Sequence, residues 1–214
     1  MRSSTGSGES TSPTEASLLS QFRTAYDKAD SFCKEVQSFA GEAGIPAMNE
    51  LRYAGHHLVV SMAHDGSVTD FDQLTRATNH AKRACYEAGE AGVLFALDKI
   101  DTFKHDYKTI SVTGVLKNYV DILQAAEAAK QRVIAGRDHA TDGAADHADY
   151  MDHFRTLAPL CATLDLAREE LNKIIAEQAR TTRRWVIGIA IAIIAVTVAT
   201  GNYINGRMAA VAAP

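Results

Sequence analysis

The chain has 214 residues, 46% of them hydrophobic, and a formal net charge of -4 at pH 7. Its length is enough for one sizeable domain and hardly for two, and its ordinary hydrophobic content excludes a protein built from many membrane spans. The mildly acidic balance argues against a broad basic surface, so no nucleic-acid partner is expected.

The first predicted helix follows a polar N-terminal tail. Residues 1–12 are rich in Ser, Gly and Thr and are expected to be disordered. Ser12 as N-cap, Pro13 at the first helical position and Glu15 three residues after the cap predict a capping box. A helix of roughly 28 residues that ends near Gly41 is then predicted from spacings of three and four. Its stripe is Leu18, Leu19, Phe22, Tyr26, Ala29, Phe32, Cys33, Val36 and Phe39.

Two further helices are predicted between residues 45 and 107. The second opens at Ile45, before a proline, and stops at Asp65, while Thr69 caps the third. Gly89 and Gly92 could bend or break the third helix near its middle. Unbroken, the third helix would be roughly 60 Å long, which implies an elongated bundle. The predicted apolar side of the second helix is Met48, Leu51, Gly55, Leu58, Val59 and Met62.

The rest of the chain predicts two more helices. Residues 109–114 are largely β-branched but have no partner strand, so a loop is expected there. The fourth helix is predicted from Val115 to Gly136, and the fifth follows a loop over 137–143. Pro159 is expected to kink the fifth helix, and no turn residue ends it before Trp185. The stripe of the fourth helix is Val115, Leu116, Tyr119, Val120, Leu123, Ala126, Ala129, Val133 and Ile134, and that of the fifth is Tyr150, Met151, Phe154, Leu157, Cys161, Leu164, Leu171, Ile174 and Ile175.

These patterns predict an all-α fold. Helices with short connections are typical of an up-and-down antiparallel bundle, here elongated, of about five helices over residues 13–180. The last helix is predicted to continue into a single C-terminal transmembrane helix over residues 185–204, followed by a short tail over residues 205–214.

The segment over residues 185–203, WVIGIAIAIIAVTVATGNY, carries the membrane prediction. It has no charged side chain, and as a helix it would be about 27 Å long, close to the hydrocarbon thickness of a bilayer. A lipid bilayer is therefore an expected partner, and the layout is that of a tail-anchored protein. The alternative is a buried core helix, but such helices rarely run so long without a polar position.

Flanking charges and cysteine usage predict the same orientation. Three arginines precede the span and one follows it, so the positive-inside rule places the N-terminal domain in the cytoplasm and the C-terminus outside. The cysteines lie on apolar stripes without a CxxC pair, which indicates free thiols in a reducing compartment. The arginines are Arg180, Arg183, Arg184 and Arg207, and the cysteines are Cys33, Cys85 and Cys161.

An Asp- and His-rich stretch over residues 138–153 is the first candidate site. On a helix, one face would carry Asp142, Asp146, Asp149 and His153. Carboxylates and imidazoles on a shared face suit a divalent metal, but no other helix has a matching ExxH pattern. The alternative is that acidic residues near a helix N-terminus complement the macrodipole. We therefore expect no metal and, because no cofactor motif is present, no cofactor.

Arg52 and His57 form the second candidate. They have the spacing found in HEPN-type ribonucleases, where arginine would stabilise the charge on phosphate and histidine would transfer a proton. About 1.5 such pairs are expected by chance. Two occur, the other being Arg132 with His139, so the match is not taken as a family resemblance.

Antiparallel packing of the second and third helices would gather further polar side chains at the same level. The expected cluster consists of Arg52, His56, His80, Arg83 and Tyr86. It would be an anion or phosphate pocket if open, or a network with Glu50 or Glu87 if closed, and we favour the closed arrangement. No catalytic residue is assigned, and the candidates are Arg52, His57, His80 and Arg83.

Small residues are regularly spaced within the predicted membrane helix. They are Gly188, Ala192, Ala195 and Ala199, which recur at four, three and four and would let two helices approach closely. The alternative is a merely Ala-rich anchor.

The favoured function is a membrane-anchored, non-enzymatic helical adaptor or sensor. Its cytoplasmic bundle would bind an unknown protein partner, and its C-terminal helix would anchor the chain and self-associate. The alternatives are a HEPN-like ribonuclease or phosphodiesterase that uses Arg52 and His57, and a membrane-perturbing effector.

Overall fold

Apolar residues at helical spacing form five α-helices in the computed structural model, which describes the backbone of residues 14–138 and 146–211 and the side chains of residues 14–135 and 149–201. The helices are α1 (Glu15–Ala40), α2 (Ile45–Ser61), α3 (Phe71–Asp106), α4 (Tyr119–Asp138) and α5 (Asp146–Val211), with a 3-10 turn at Val112–Gly114. The described residues form no strand, so the all-α prediction is confirmed. The predicted tail over residues 1–12 lies outside them.

Residue pairings show the direction of the helices before α4. The contacts between α2 and α3 pair Glu50 with His80 and His57 with Gln73, so the two helices run antiparallel. By contrast α1 runs parallel to α3, since the ring of Phe39 lies 5.6 Å from that of Phe95 while Phe32 lies beside the earlier residue Gly89.

The same reasoning gives the direction of α4 and α5. Tyr150 lies at Gly89 and Phe154 at Gly92, so α5 runs parallel to α3. At the other end of α3, Phe103 lies against Tyr119, the first residue of α4, which runs antiparallel. Direction thus alternates along the chain, which confirms the up-and-down bundle, and α3 is the helix that the other four contact.

The two glycines of α3 do not break it. A Cβ atom on Gly89 would lie 2.8 Å from Tyr150 Cβ, and one on Gly92 would lie 2.7 Å from Phe154 Cδ2. The glycines therefore let α5 pack directly on the backbone of α3, which is one continuous helix at the position where they could have bent or broken it.

Several helix ends differ from their predicted positions. The N-cap of α1 is Thr14, and the Glu15 carboxylate accepts a hydrogen bond from the Val68 N–H at 3.2 Å rather than capping its own helix. Asp70, not Thr69, caps α3, because its Oδ1 accepts from the Gln73 N–H at 3.0 Å. The C-terminus of α1 is as predicted, since Gly41 adopts φ 81.

Two further helix ends differ from their predicted positions because turns occupy those residues. α2 ends at Ser61 rather than near Asp65, whose Oδ1 accepts from both the N–H and the hydroxyl of Ser67 in the turn that follows. α4 begins at Tyr119 rather than Val115, because residues 112–114 form the 3-10 turn.

The predicted apolar side of α2 was partly wrong. The buried residues are Ala47, Leu51, Ala54 and Ser61. Met48, Val59 and Met62 are exposed, and Val59 retains 71% of its accessible surface. The physical reason is size: α3 presents Ala77, Ala81 and Ala84 to this contact, and small residues on both helices allow close packing. Similarly, α4 buries Ile122 and leaves Val120 and Ile134 exposed.

Helix α5 matches its prediction most closely. Seven of the nine predicted stripe residues, those from Tyr150 to Leu171, are buried, and Ile174 and Ile175 are half-buried. Pro159 lies within the helix and does not end it, and the same helix continues through the apolar segment, as predicted. The span Asp149–Gly201 holds an 18-residue apolar window of which 0% is buried. Among the described residues, this is the one helix long and apolar enough to cross a membrane.

The chain divides into two compact units. The first comprises Met1–Asp106 and Asn118–Leu164, and the second Tyr107–Lys117 and Asp165–Pro214, so α5 contributes to both. Within the second unit, the buried Tyr107 donates its hydroxyl hydrogen to Asn172 Oδ1 at 3.0 Å, and the Arg168 guanidinium lies 5.7 Å from the Tyr107 ring centre.

Candidate functional site

Two histidine rings meet between α2 and α3. The His57 and His80 rings are stacked, with centroids 5.0 Å apart and planes inclined by 10°. The neighbouring rings extend this contact, because Tyr53 lies 5.6 Å from His80 and His56 lies 5.6 Å from His57. Antiparallel packing of α2 on α3 is what brings these side chains to one level. We refer to His57, His80 and their hydrogen-bond partners as the histidine cluster.

Each stacked ring is oriented by one hydrogen bond. His80 Nδ1 donates to Glu50 Oε2 at 2.7 Å, and His57 Nδ1 donates to Gln73 Oε1 at 2.6 Å. Because both acceptors are side-chain oxygens, Nδ1 carries the hydrogen in each ring. In the neutral form, Nε2 of each ring is then the basic atom. The arrangement fixes two imidazoles in a defined tautomer.

Glu50 ties the cluster to an arginine. Its side chain retains only 14% of its accessible surface, and Arg83 Nε lies 3.6 Å from Glu50 Oε1 and 3.6 Å from Glu87 Oε1. The Arg83 side chain itself is 63% exposed. On its inner side the cluster is thus linked to Glu50, and through Arg83 to Glu87.

The outer side of the cluster is open. A shallow depression of about 160 Å³ lies along α3, bordered by Arg76, Asn79, His80 and Arg83. Three of these side chains can carry positive charge, so the depression has the composition of an anion-binding surface. It holds no buried charged group aimed into it among the residues described. The depression is an accessible patch on a helix rather than a built pocket.

Two other expected members, Arg52 and Tyr86, contact different rings. Arg52 lies with its guanidinium 5.2 Å from the Tyr53 ring centre, as a cation–π contact. Tyr86 is not in the cluster, since its ring packs edge-on against Tyr150 with centroids 5.2 Å apart. Tyr86 follows His80 by six residues, about 240° further around α3, so it faces α5 and not α2.

The predicted metal residues are not brought together by the described part of the chain. Asp142 lies outside the described residues, and Asp146 is the first residue of α5, its side chain undescribed. Asp149 contacts Arg132 Nε and lies 3.3 Å from His153 Nε2. An arginine at Asp149 repels a divalent cation, and residues 14–135 and 149–201 hold no group of three metal-binding side chains.

The cysteines are free thiols of low reactivity. Cys85 and Cys161 are buried and Cys33 is half-buried. Burial raises the pKa of Cys33 to about 11 and also raises the pKa of Cys85. A raised pKa leaves little thiolate near neutral pH, so neither thiol is suited to act as a nucleophile.

The small residues of the predicted membrane helix, Gly188, Ala192, Ala195 and Ala199, all lie on exposed surface of α5. A Cβ atom on Gly188 would meet nothing within 4 Å, so the stripe is open to a partner.

Sequence reasoning missed Gln73 and the exposed side of α2. Gln73 could have been found from the register of the two helices. In antiparallel helices the residue numbers of paired positions have a constant sum, and the pair Glu50 and His80 has the same sum as the pair His57 and Gln73. The exposed side of α2 gives no such signal, since apolar residues occur on both of its faces.

The fold and site thus define an all-α protein with a histidine cluster between two antiparallel helices and one helix able to cross a membrane. No protein-family model, no curated protein and no solved structure matches the chain.

Proposed function

We propose that the protein is a membrane-anchored, non-enzymatic adaptor or sensor. The observation that carries the proposal is the exposed apolar part of α5: an 18-residue window without a single buried residue has no partner inside the bundle. A soluble protein rarely exposes so large an apolar surface, whereas a bilayer would cover it. On this proposal the last helix locates the chain, and the preceding helices carry the interaction.

The proposed orientation rests on the charges beside the span. Arg180, Arg183 and Arg184 precede it and Arg207 follows it, so the bundle would lie in the cytoplasm and the C-terminus outside. The free, unreactive thiols agree with a reducing compartment.

The outer face of α2 supports binding of a protein partner. Its residues recur at helical spacing and are Ile45, Met48, Arg52, Gly55 and Val59, and the exposed Met62 follows the end of the helix. Ile45 and Val59 are 73% and 71% exposed, and a Cβ atom on Gly55 would meet nothing within 4 Å. An aliphatic stripe with a glycine at its centre and an arginine beside it is complementary to an amphipathic helix that carries an acidic side chain. We propose such a helix, from a cytoplasmic protein, as the occupant.

Photocrosslinking tests this face on the full chain in its membrane. A photoreactive phenylalanine analogue in place of Val59 is expected to crosslink to an amphipathic helix of the partner, whereas the same analogue in place of the exposed Ala128 on α4 is not. Arg52→Glu should reduce the crosslink roughly tenfold, because it places like charges in contact. Arg23→Glu, an exposed change on α1, is the matched control and should have no effect.

Three results would contradict the adaptor proposal. Crosslinks from position 59 to lipid alone would make α2 a membrane-binding face, and crosslinks to a second copy alone would make it a self-association face. Cleavage of labelled RNA by the wild-type chain, lost in His57→Ala, would show an enzyme instead.

Self-association is proposed through the small-residue stripe of the membrane helix. Gly188→Leu with Ala195→Leu is expected to weaken dimerisation in membranes roughly tenfold, because bulky side chains keep the two backbones apart. Ala190→Leu with Thr197→Leu makes a matched change on the opposite side of the helix and should leave the dimer intact. Resonance energy transfer between two labelled copies in vesicles measures the effect. Equal losses in both pairs would show that the stripe is not the contact.

A further inference from the structure

An open groove separates α3 from α4. Its walls are residues 94–104 of α3 and residues 123–134 of α4, and its volume is about 420 Å³. This is within the roughly 300–1,000 Å³ of small-molecule sites. Ten residues of helix make the groove about 15 Å long. We name it the α3–α4 groove.

Apart from four charged residues at its rim, the lining of the α3–α4 groove is aliphatic. Leu97 and Ile100 on α3 face Leu123 and Ala126 on α4, and no aromatic ring, hydroxyl or amide takes part. A polar or heteroaromatic ligand would lose its hydrogen bonds to water and gain none here. A saturated hydrocarbon chain loses nothing, so the lining selects an aliphatic ligand.

One end of the groove exposes large aliphatic side chains. Leu94 and Ile134 remain 39% and 48% exposed. Because α4 is antiparallel to α3, both lie at the same end, and Lys104 lies at the other. Exposed aliphatic surface that continues into a concave apolar groove is typical of a ligand site rather than of ordinary protein surface.

The rim of the groove carries charged side chains, and its lysine ammonium groups are the ones that can pair with a ligand. Lys104 and Lys130 have no carboxylate within ion-pair distance in the described part of the chain. The rim also carries Asp101 and Glu127, and the Glu127 carboxylate already accepts a hydrogen bond from Gln131 Nε2 at 2.7 Å. Lys104 thus lies at one end of the groove, and Lys130 lies one helical turn before Ile134 at the other.

We propose that the α3–α4 groove binds a fatty acid, with the aliphatic chain between Leu97, Ile100, Leu123 and Ala126 and the carboxylate paired with Lys104 or Lys130. The length of the groove, its aliphatic walls and its terminal ammonium groups match a single hydrocarbon chain with an anionic head. The inference goes beyond the adaptor role and does not depend on the identity of a protein partner.

Photolabelling tests the proposal on the full chain in lipid nanodiscs. Palmitic acid with a diazirine in its chain is expected to label peptides from residues 94–104 and 123–134, and unlabelled palmitate should compete. Ala126→Phe fills the groove and should reduce labelling roughly tenfold. Ala128→Phe makes the same change at an exposed position of the same helix and should not reduce it.

Exchange of charge tests the head group. Lys104→Glu with Lys130→Glu should lower labelling by the acid and raise labelling by the corresponding diazirine alkylamine, because the rim then attracts a cation. Unfolding temperatures of all variants show whether the bundle is intact. This check is most important for Ala126→Phe, which adds a large side chain between two helices. If that variant does not fold, the charge exchange at the exposed lysines still tests the proposal.

Several results would overturn the proposal. Labelling confined to residues 185–201 would show fatty acid in the bilayer only. Labelling of the groove that neither palmitate nor Ala126→Phe reduces would be non-specific. Labelling that disappears as the number of chains per nanodisc rises would assign the groove to a second copy of the protein.

Discussion

Gly89→Ala is expected to destabilise the bundle by about 1–2 kcal/mol, the overpacking penalty less the gain in helix propensity. The new methyl group would lie 2.8 Å from Tyr150 Cβ, an atom fixed to the backbone of α5, so no change of rotamer relieves the clash. The whole of α5 must move away from α3. Thermal unfolding followed by circular dichroism should show a transition lowered by roughly 3–6 °C.

Gly55→Ala is the matched control for this change. It is also a glycine-to-alanine substitution inside a helix, but its methyl group would meet nothing within 4 Å. It should stabilise the protein by up to about 1 kcal/mol through helix propensity alone. Equal effects of the two substitutions, in either direction, would show that α5 does not rest on the backbone of α3 at Gly89.

Ile191→Arg combined with Ile194→Arg is expected to move the protein from the membrane fraction to the soluble fraction. Each arginine at the centre of a span opposes insertion by about 2.5–3.5 kcal/mol, so the pair opposes it by roughly 5–7 kcal/mol. Both isoleucines are exposed on α5, so the substitutions remove no contact within the protein. Extraction of membranes at alkaline pH, with detection of the chain in each fraction, is the measurement.

Ile191→Leu combined with Ile194→Leu changes the same positions without charge and should remain in the membrane fraction. The membrane proposal fails if wild-type protein is released by alkaline extraction. It fails equally if the arginine pair is retained as firmly as the leucine pair.

The elements that sequence predicted well are those with one apolar face. The stripe of α5 was predicted well, because between Tyr150 and Leu171 most of its large apolar residues lie on one side, with Leu166 as the exposed exception. α2 is apolar on two sides, so spacing alone could not choose between Met48 and Ala47 as the buried position. Which side of α2 is buried depends on the alanines that α3 presents at the contact. It is therefore determined by the neighbouring helix and not by the sequence of α2 alone.

The sequence predicted which residues of α2 and α3 lie at the same level along the bundle, but not which of their side chains touch. Antiparallel packing placed the α2 histidines opposite His80, and the rings of His57 and His80 do meet. The roles of Gln73 and of Glu50 as hydrogen-bond partners depend on the rotation of each helix about its axis, which tertiary packing sets. The same rotation carries Tyr86 away from the cluster toward Tyr150.

The two glycine contacts of α3 also determine how the bundle resists force. Tyr150 and Phe154 sit one turn apart in α5, at Gly89 and Gly92, and the bidentate ion pair from Arg155 to Glu35 follows directly. A pull along the axis of α5 loads all three contacts together, in shear, whereas a pull across the axis would break them one after another. Tension transmitted along the last helix therefore meets the mechanically stronger direction of the interface.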